Sequence, residues 1–285
     1  GLGDHGEDDI GFGLPHHSDK YKTLRELVDA IGEIGMSRTP GTFYYSDSGS
    51  STLGAIVTEV SGMPVERFIE TRISTPLGMT DTHTLFTPDA PWGDRMNSTY
   101  RWSQEDCAFE RYWHPAMEQR YRYFRASGGL YSTTMDYARF LAMWMNKGRY
   151  GDVRLLSEAT VEAALRPFGD RGDGRGYGMH WTIRNGQMED GLPAMFGHGG
   201  SDGTMAWAFP ALDAVVLYFT QSRDRPERER FLSILSQVQP FSEYVTSRWN
   251  REVIVAWERV RAGTAELAEV GPELLQRYAG SYVHE

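Results

Sequence analysis

The apolar residues in the first half of the chain recur at spacings of three and four, which is typical of helices with one buried face. The helices predicted from this pattern cover 21–35, 48–62, 64–69, 135–146 and 157–165. The second of them carries Leu53, Ile56, Val57 and Val60, and Gly62 and Pro64 mark its end. The tract 88–125 has many aromatic residues but few clear periods, so we predict a loop there.

The pattern changes to an alternation of apolar and polar residues in the second half. The predicted strands cover 177–184, 205–209 and 215–220. The last two are separated by the turn-forming residues 210–213, which predicts an antiparallel hairpin. Helical patterns return at 231–238 and 244–260. A helical block, then antiparallel strands, then terminal helices predict an α+β fold with segregated layers.

Composition excludes several classes of partner and cofactor. No apolar run in the 285 residues approaches the ~18 needed to cross a membrane, so no membrane span is expected. The formal net charge of -10 argues against a nucleic-acid partner. Cys107 is the only cysteine, which rules out an intramolecular disulfide and a cysteine metal cage. His5, His16 and His17 match no metal-ligand spacing, so we interpret them as residues of a solvated loop.

Residues 199–203 match the G-x-S-x-G pattern of a nucleophile elbow. That elbow needs a strand before the serine and a helix after it, so that the hydroxyl stands at the strand end. Here the residues after Ser201 predict a hairpin. We therefore interpret Ser201 as a loop residue on the way into a strand, and not as a nucleophile.

Two short motifs stand at the borders of predicted elements: Tyr45-Ser46-Asp47 before the second helix, and His198-Gly199-Gly200 before the hairpin. With them, ordered segments covering most of 36–222 resemble the serine β-lactamase and penicillin-binding-protein-like family. The resemblance is to the branch that holds class C β-lactamases, D-aminopeptidases, carboxypeptidases and esterases. It implies a helical subdomain beside an antiparallel sheet flanked by helices. It also implies a serine hydrolase that works through an acyl-enzyme and needs no metal and no organic cofactor.

The resemblance also implies roles for particular residues. Tyr45 would shuttle the proton of the serine nucleophile, and His198 would stand where the family carries a lysine or histidine that assists that tyrosine. Gly199 and Gly200 would let the substrate approach the edge strand closely, and the Ser201 amide would be one oxyanion donor. A structural interpretation stays open for each: Tyr45 as a packed aromatic, and His198 as a loop histidine bonded to its neighbours.

Asp47 departs from the family motif, which more often has asparagine at this position. The structural alternative is that Asp47 or Ser48 is simply the N-cap of the second helix. A carboxylate accepts hydrogen bonds but cannot donate one to a substrate carbonyl. Our hypothesis is that Asp47 disfavours β-lactams and suits esters or substrates with a free ammonium group.

The family's nucleophile motif, Ser-x-x-Lys, does not occur in this sequence. Its three lysines, Lys20, Lys22 and Lys147, lack a serine, threonine or cysteine three residues earlier. We therefore expect a fold that is incomplete at the N-terminus, with the nucleophile outside this chain. A complementing N-terminal fragment or a homo-oligomer would then complete it, and the substrate would be a small molecule or short peptide. The alternative is a non-catalytic binding or regulatory protein of the same fold.

The predicted domain of this family covers 1–262. Its helical subdomain spans about 15–170, and the sheet with the terminal helices spans about 175–262. Residues 263–285 are predicted to be a linker and the start of an appended β domain, because 271–285 resemble the first strand of a small β domain that often follows this fold. The sequence does not indicate a cellular compartment.

Overall fold

The computed structural model describes residues 21–35, 40–41, 43, 45–103, 105–117, 121–168, 175–187, 190–223, 231–232, 234–238 and 241. Residue contacts divide the chain into two units, Gly1–Arg228 and Glu229–Glu285, and the elements below belong to the first. The predicted helix at 244–260 and the three N-terminal histidines lie outside the described residues.

Five helices form where the apolar spacing predicts them. They are α1 (Leu24–Ile34), α2 (Asp47–Ser61), α3 (Val65–Ile69), α4 (Thr134–Met145) and α5 (Glu158–Ala164). Side-chain caps begin α1, α4 and α5, because Thr23, Thr133 and Ser157 each accept a hydrogen bond from a first-turn amide. The helix α3 continues into a π-helical turn at Glu70–Ser74. The helical predictions in this part of the chain are confirmed.

The strands form one large sheet and two small ones. In chain order they are β1 (Thr99–Ser103), β2 (Ala108–Trp113), β3 (Arg149–Tyr150), β4 (Val153–Arg154), β5 (Arg175–Tyr177), β6 (Thr182–Gln187), β7 (Pro193–Gly199), β8 (Met205–Phe209), β9 (Ala214–Tyr218) and β10 (Ser222–Arg223). The large sheet has the order β5-β6-β7-β8-β9 and every neighbouring pair is antiparallel. The predicted β8–β9 hairpin and the α+β class are confirmed.

The main core lies where α4 and α5 meet the large sheet. Its buried members come from both helices, from the strands and from the residues Leu165, Trp181 and Leu192 that directly follow or precede these elements. They are Leu141, Val161, Leu165, Trp181, Ile183, Leu192, Phe196, Ala206 and Ala208. Partly buried side chains of α4 and β9 pack against this cluster. The helices thus cover one face of the sheet and hold β7, which carries His198, in place.

Two predictions about strands were wrong. The stretch 177–184 is not one strand, because β5 ends at Tyr177 and β6 begins at Thr182 after a tight turn in which the Gly178 amide donates to the Trp181 carbonyl at 2.8 Å. The tract 88–125 is not all loop, since it contains β1 and β2. Most side chains of these two strands are at least partly exposed, so no clean apolar alternation marked them.

The helix α2 buries small residues and exposes its large apolar ones. Ser48, Ser51, Gly54 and Ala55 are its buried residues, whereas 83% of Val60 is exposed. A methyl group added at Gly54 would lie 2.7 Å from the Ala126 Cβ. The helix therefore approaches its neighbours so closely that only small side chains fit between them.

Candidate active site

The Tyr45-Ser46-Asp47 motif lies at the first turn of α2. Ser46 is the N-cap: its backbone is extended, and its hydroxyl oxygen accepts a hydrogen bond from the Gly49 amide at 2.8 Å. The expectation that Asp47 or Ser48 caps the helix was therefore wrong. Both residues already lie within the helix, and the cap position requires a non-helical residue that precedes it. Tyr45 thus directly precedes the residue that caps α2, and this cap sets the backbone position next to Tyr45.

His198 lies near the end of β7, where it is paired in register with Ala206 of β8. Its ring has a partner on each nitrogen. Nδ1 lies 2.6 Å from the Gly199 carbonyl oxygen, and Nε2 lies 2.6 Å from the hydroxyl of Tyr177 at the end of β5. The imidazole is therefore held in one orientation from two sides.

The structure brings Tyr45 and His198 together although they lie far apart in sequence. Their ring centroids are 6.1 Å apart, with an angle of 25° between the planes. Tyr177 completes the group, with its ring 6.1 Å from that of Tyr45 and nearly perpendicular to it. Phe43 packs against Tyr177 at a centroid distance of 5.1 Å. Two tyrosines and a histidine thus share one aromatic cluster between the start of α2 and the ends of β5 and β7.

Sequence reasoning missed Tyr177. The residue was counted only as one position of the predicted strand 177–184. No signal in the sequence marked it, because that prediction did not include the turn between β5 and β6. In the sheet Tyr177 lies opposite Thr182, and Thr182 lies opposite Gly197, so Tyr177 is two strands away from the residue that precedes His198.

Burial is the main influence on the charge of His198. It lowers the pKa of His198 below its usual range, and the nearby His180 lowers it further. The hydrogen bond with the Gly199 carbonyl and the charge of Asp47 act in the opposite direction without reversing the shift. His198 is therefore predominantly neutral near pH 7. It does not supply the positive charge that a cationic residue would bring to Tyr45.

The Gly199-Gly200-Ser201 segment forms the end of β7 and the turn that follows. The Gly200 amide donates to the Thr204 carbonyl at 2.8 Å, and a methyl group added at Gly200 would lie 2.2 Å from the Thr204 hydroxyl oxygen. Ser201 is exposed, and its hydroxyl accepts a hydrogen bond from the Arg223 guanidinium at 3.1 Å. Strand β8 follows this turn, so the strand-to-helix geometry of a nucleophile elbow is absent at Ser201.

Asp202 fixes the outer side of this turn. Its carboxylate accepts hydrogen bonds from the Arg223 guanidinium and, at 2.7 Å, from the Tyr112 hydroxyl. Arg223 belongs to β10, which pairs in parallel with β1. The small sheet of β10, β1 and β2 is thereby tied to the turn that carries the candidate oxyanion donor.

Neither a metal cluster nor a membrane-spanning helix appears in the described part of the chain. Among those residues, no group of three or more histidine, cysteine, aspartate or glutamate side chains could hold a metal ion. No described helix is long and apolar enough to cross a bilayer.

Solved structures define the class of fold. The penicillin-binding protein of Bacillus halodurans superposes with a TM-score of 0.61 and 19% identity, covering 80% of this chain and 66% of that one. The octameric penicillin-binding protein homologue of Pyrococcus abyssi has a TM-score of 0.60 and 21% identity, covering 81% of this chain and 52% of that one. The fold is therefore of the β-lactamase and penicillin-binding-protein type.

The family follows from the sequence match. Residues 2–239 match the family model described as Beta-lactamase, and the chain belongs to this family of serine hydrolases. An Escherichia coli protein named "Putative D-alanyl-D-alanine carboxypeptidase" is 27% identical over 235 residues, which are 75% of this chain and 52% of the relative. The chain thus spans about half the length of the curated relatives it matches.

Proposed function

We propose that this chain provides the tyrosine and histidine side of the active site of a serine hydrolase that acts on an ester, amide or peptide. The observation that carries the proposal is the cluster in which the Tyr45 and His198 rings lie 6.1 Å apart. Membership of the Beta-lactamase family supports it. The nucleophile lies outside this chain, in keeping with a match that spans 52% of the Escherichia coli relative.

The proposed reaction proceeds by acyl transfer. The serine oxygen attacks the substrate carbonyl carbon while the phenolate of Tyr45 takes the serine proton. The bond between the carbonyl carbon and the leaving group then breaks, and Tyr45 returns its proton to the leaving group. The Ser201 amide donates to the oxyanion, and the substrate lies beside Gly199 and Gly200 at the end of β7, which is an inner strand of the large sheet and not the edge strand that the resemblance implied. Water releases the acyl group. Since His198 is predominantly neutral, we assign the positive charge beside Tyr45 to the lysine that accompanies the family's serine.

The source of the serine is the second part of the proposal. It comes from a segment of the complete protein, from a complementing N-terminal fragment or from another copy of the chain. The Pyrococcus abyssi homologue is octameric, which makes an assembly a reasonable arrangement to test. Mass measurement of the complete protein by light scattering distinguishes a monomer from an oligomer.

Labelling with a fluorophosphonate probe tests the catalytic proposal. We expect the complete protein to be labelled, and Tyr45→Phe to slow labelling by about 10²–10⁴-fold because a proton acceptor is lost. Tyr100→Phe is the matched control, since Tyr100 is an exposed tyrosine of β1 outside the cluster. No labelling of the complete protein would favour the non-catalytic binding alternative. Labelling of Tyr45→Phe at the wild-type rate would remove Tyr45 from the mechanism.

Turnover of a β-lactam and of an ester by the complete protein tests the substrate preference proposed from Asp47. Asp47 is the first residue of α2, directly after the capping Ser46, and its charge reaches His198. If its carboxylate disfavours β-lactams, Asp47→Asn in the complete protein gains β-lactam turnover while ester turnover falls. A variant that gains no β-lactam turnover contradicts this proposal and leaves the role of Tyr45 unaffected.

A further inference from the structure

The hydrogen bonds of His198 fix which of its nitrogens carries the proton. The Gly199 carbonyl oxygen can only accept a hydrogen bond, so the nitrogen 2.6 Å away, Nδ1, must be protonated. In a neutral imidazole Nε2 is then bare and can only accept. The Tyr177 hydroxyl, 2.6 Å from Nε2, is therefore the donor of the second bond.

We propose that Tyr177 is a positioning residue of the site: together with the Gly199 carbonyl it holds His198 as the Nδ1–H tautomer, with its ring beside Tyr45. Tyr177 acts through His198, and its value for catalysis rests on the function proposed above. The tautomer itself does not depend on that function. It follows from two contacts within one sheet, whose register places Tyr177 two strands away from His198.

This arrangement constrains how a proton can move. With Nε2 occupied by the Tyr177 hydroxyl, His198 cannot accept a proton there unless that hydroxyl turns from donor to acceptor. His198 and Tyr177 therefore stay neutral and take no proton from Tyr45, which in the proposed function exchanges its proton with the nucleophile and its lysine. The lowered pKa that burial gives His198 is consistent with a neutral imidazole, and the titratable groups that act on this pKa are His180 and Asp47.

The experiment is nitrogen NMR of the complete protein with ¹⁵N-labelled histidine. We expect the His198 resonances of the wild type at neutral pH to show a protonated Nδ1 and a bare Nε2. In Tyr177→Phe, which keeps the ring but removes the donor, we expect the Nε2 resonance to move towards that of an unbonded nitrogen. The pKa of His198 should rise as well, because the lost bond stabilises the neutral form.

Tyr100→Phe is again the control, and it should leave the His198 resonances unchanged. A wild-type His198 protonated on Nε2 would overturn the proposal without any variant. An unchanged Nε2 resonance and pKa in a folded Tyr177→Phe would also overturn it. The NMR measurement does not depend on catalysis. If the fluorophosphonate probe failed to react with the complete protein, the proposed function would be refuted, but the assignment of Tyr177 would be unaffected.

Discussion

The carboxylate of Asp136 is buried, and its hydrogen bonds connect α4 to the segment that precedes the aromatic residues 83–92. Its side chain is almost fully buried, with the whole residue 2% exposed. It accepts hydrogen bonds from the Asp81 amide at 2.7 Å, from the Thr82 hydroxyl at 3.1 Å and from the Arg139 guanidinium. Replacing it with alanine leaves these donors without their acceptor.

The structure allows the cost of Asp136→Ala to be estimated. The partly buried Asp81 amide would lose its bond to a charged acceptor, which costs about 1.5–3 kcal/mol, and the loss of the Thr82 hydroxyl's bond costs about 1 kcal/mol more. The Arg139 side chain is 34% exposed, so water screens its charge and its share is at most about 1 kcal/mol. We therefore expect Asp136→Ala to lower the free energy of unfolding by about 2.5–5 kcal/mol. Asp136→Asn keeps one carbonyl acceptor and should cost about half as much.

Urea unfolding of the wild type and the variants, followed by circular dichroism, measures these differences. Glu33→Ala is the control, because Glu33 is an exposed residue of α1, and its effect should stay within about 0.5 kcal/mol. Equal slopes against urea would show that the variants unfold from comparable states. A loss below about 1 kcal/mol for Asp136→Ala would refute the reasoning, since buried donors would then have found other acceptors.

Two further predictions concern the first turn of α2 and two partly buried histidines. Ser46→Ala should lower the free energy of unfolding by about 1 kcal/mol, because the Gly49 amide loses its cap, and Ser46→Asp should restore most of it; equal stability of both variants in urea would contradict this. The second concerns His83 and His198, whose pKa is lowered chiefly by burial. Below the unfolded value of about 6.5 the unfolded chain binds protons that the folded chain does not, so stability should fall as the pH falls from 7.5 towards 5.5, and urea midpoints that do not fall in this range would refute the shifts.

Local signals in the sequence located the helices, but not the faces that they bury. Gly62 and Pro64 marked the end of α2, because they act on the backbone around them. Its buried face could not be predicted, since it depends on how closely Gly54 approaches Ala126, a contact between distant parts of the chain. The strands β1 and β2 were not predicted for a related reason. Their side chains lie largely at the surface, so no buried face imposes a clean alternation of apolar and polar residues on their sequences.

The site was predicted only as far as the family motifs reach. Tyr45 and His198 came from the resemblance, and the structure brings them together. Their roles in catalysis remain a proposal. Tyr177 and the capping Ser46 were not predicted, because each is defined by a bond that depends on backbone geometry. Residue types can suggest a proton shuttle, whereas the direction of a hydrogen bond to its neighbour requires coordinates.

Gly197, the residue before His198, packs so closely against β8 that no side chain fits there. A methyl group at Gly197 would lie 2.2 Å from the Ala206 carbonyl oxygen and 2.7 Å from the Trp207 ring. The indole thus occupies the space that a side chain would need, and β7 cannot shift away from β8 without opening the core. A side chain at position 197 would therefore force β7 away from β8 and displace the backbone that carries His198.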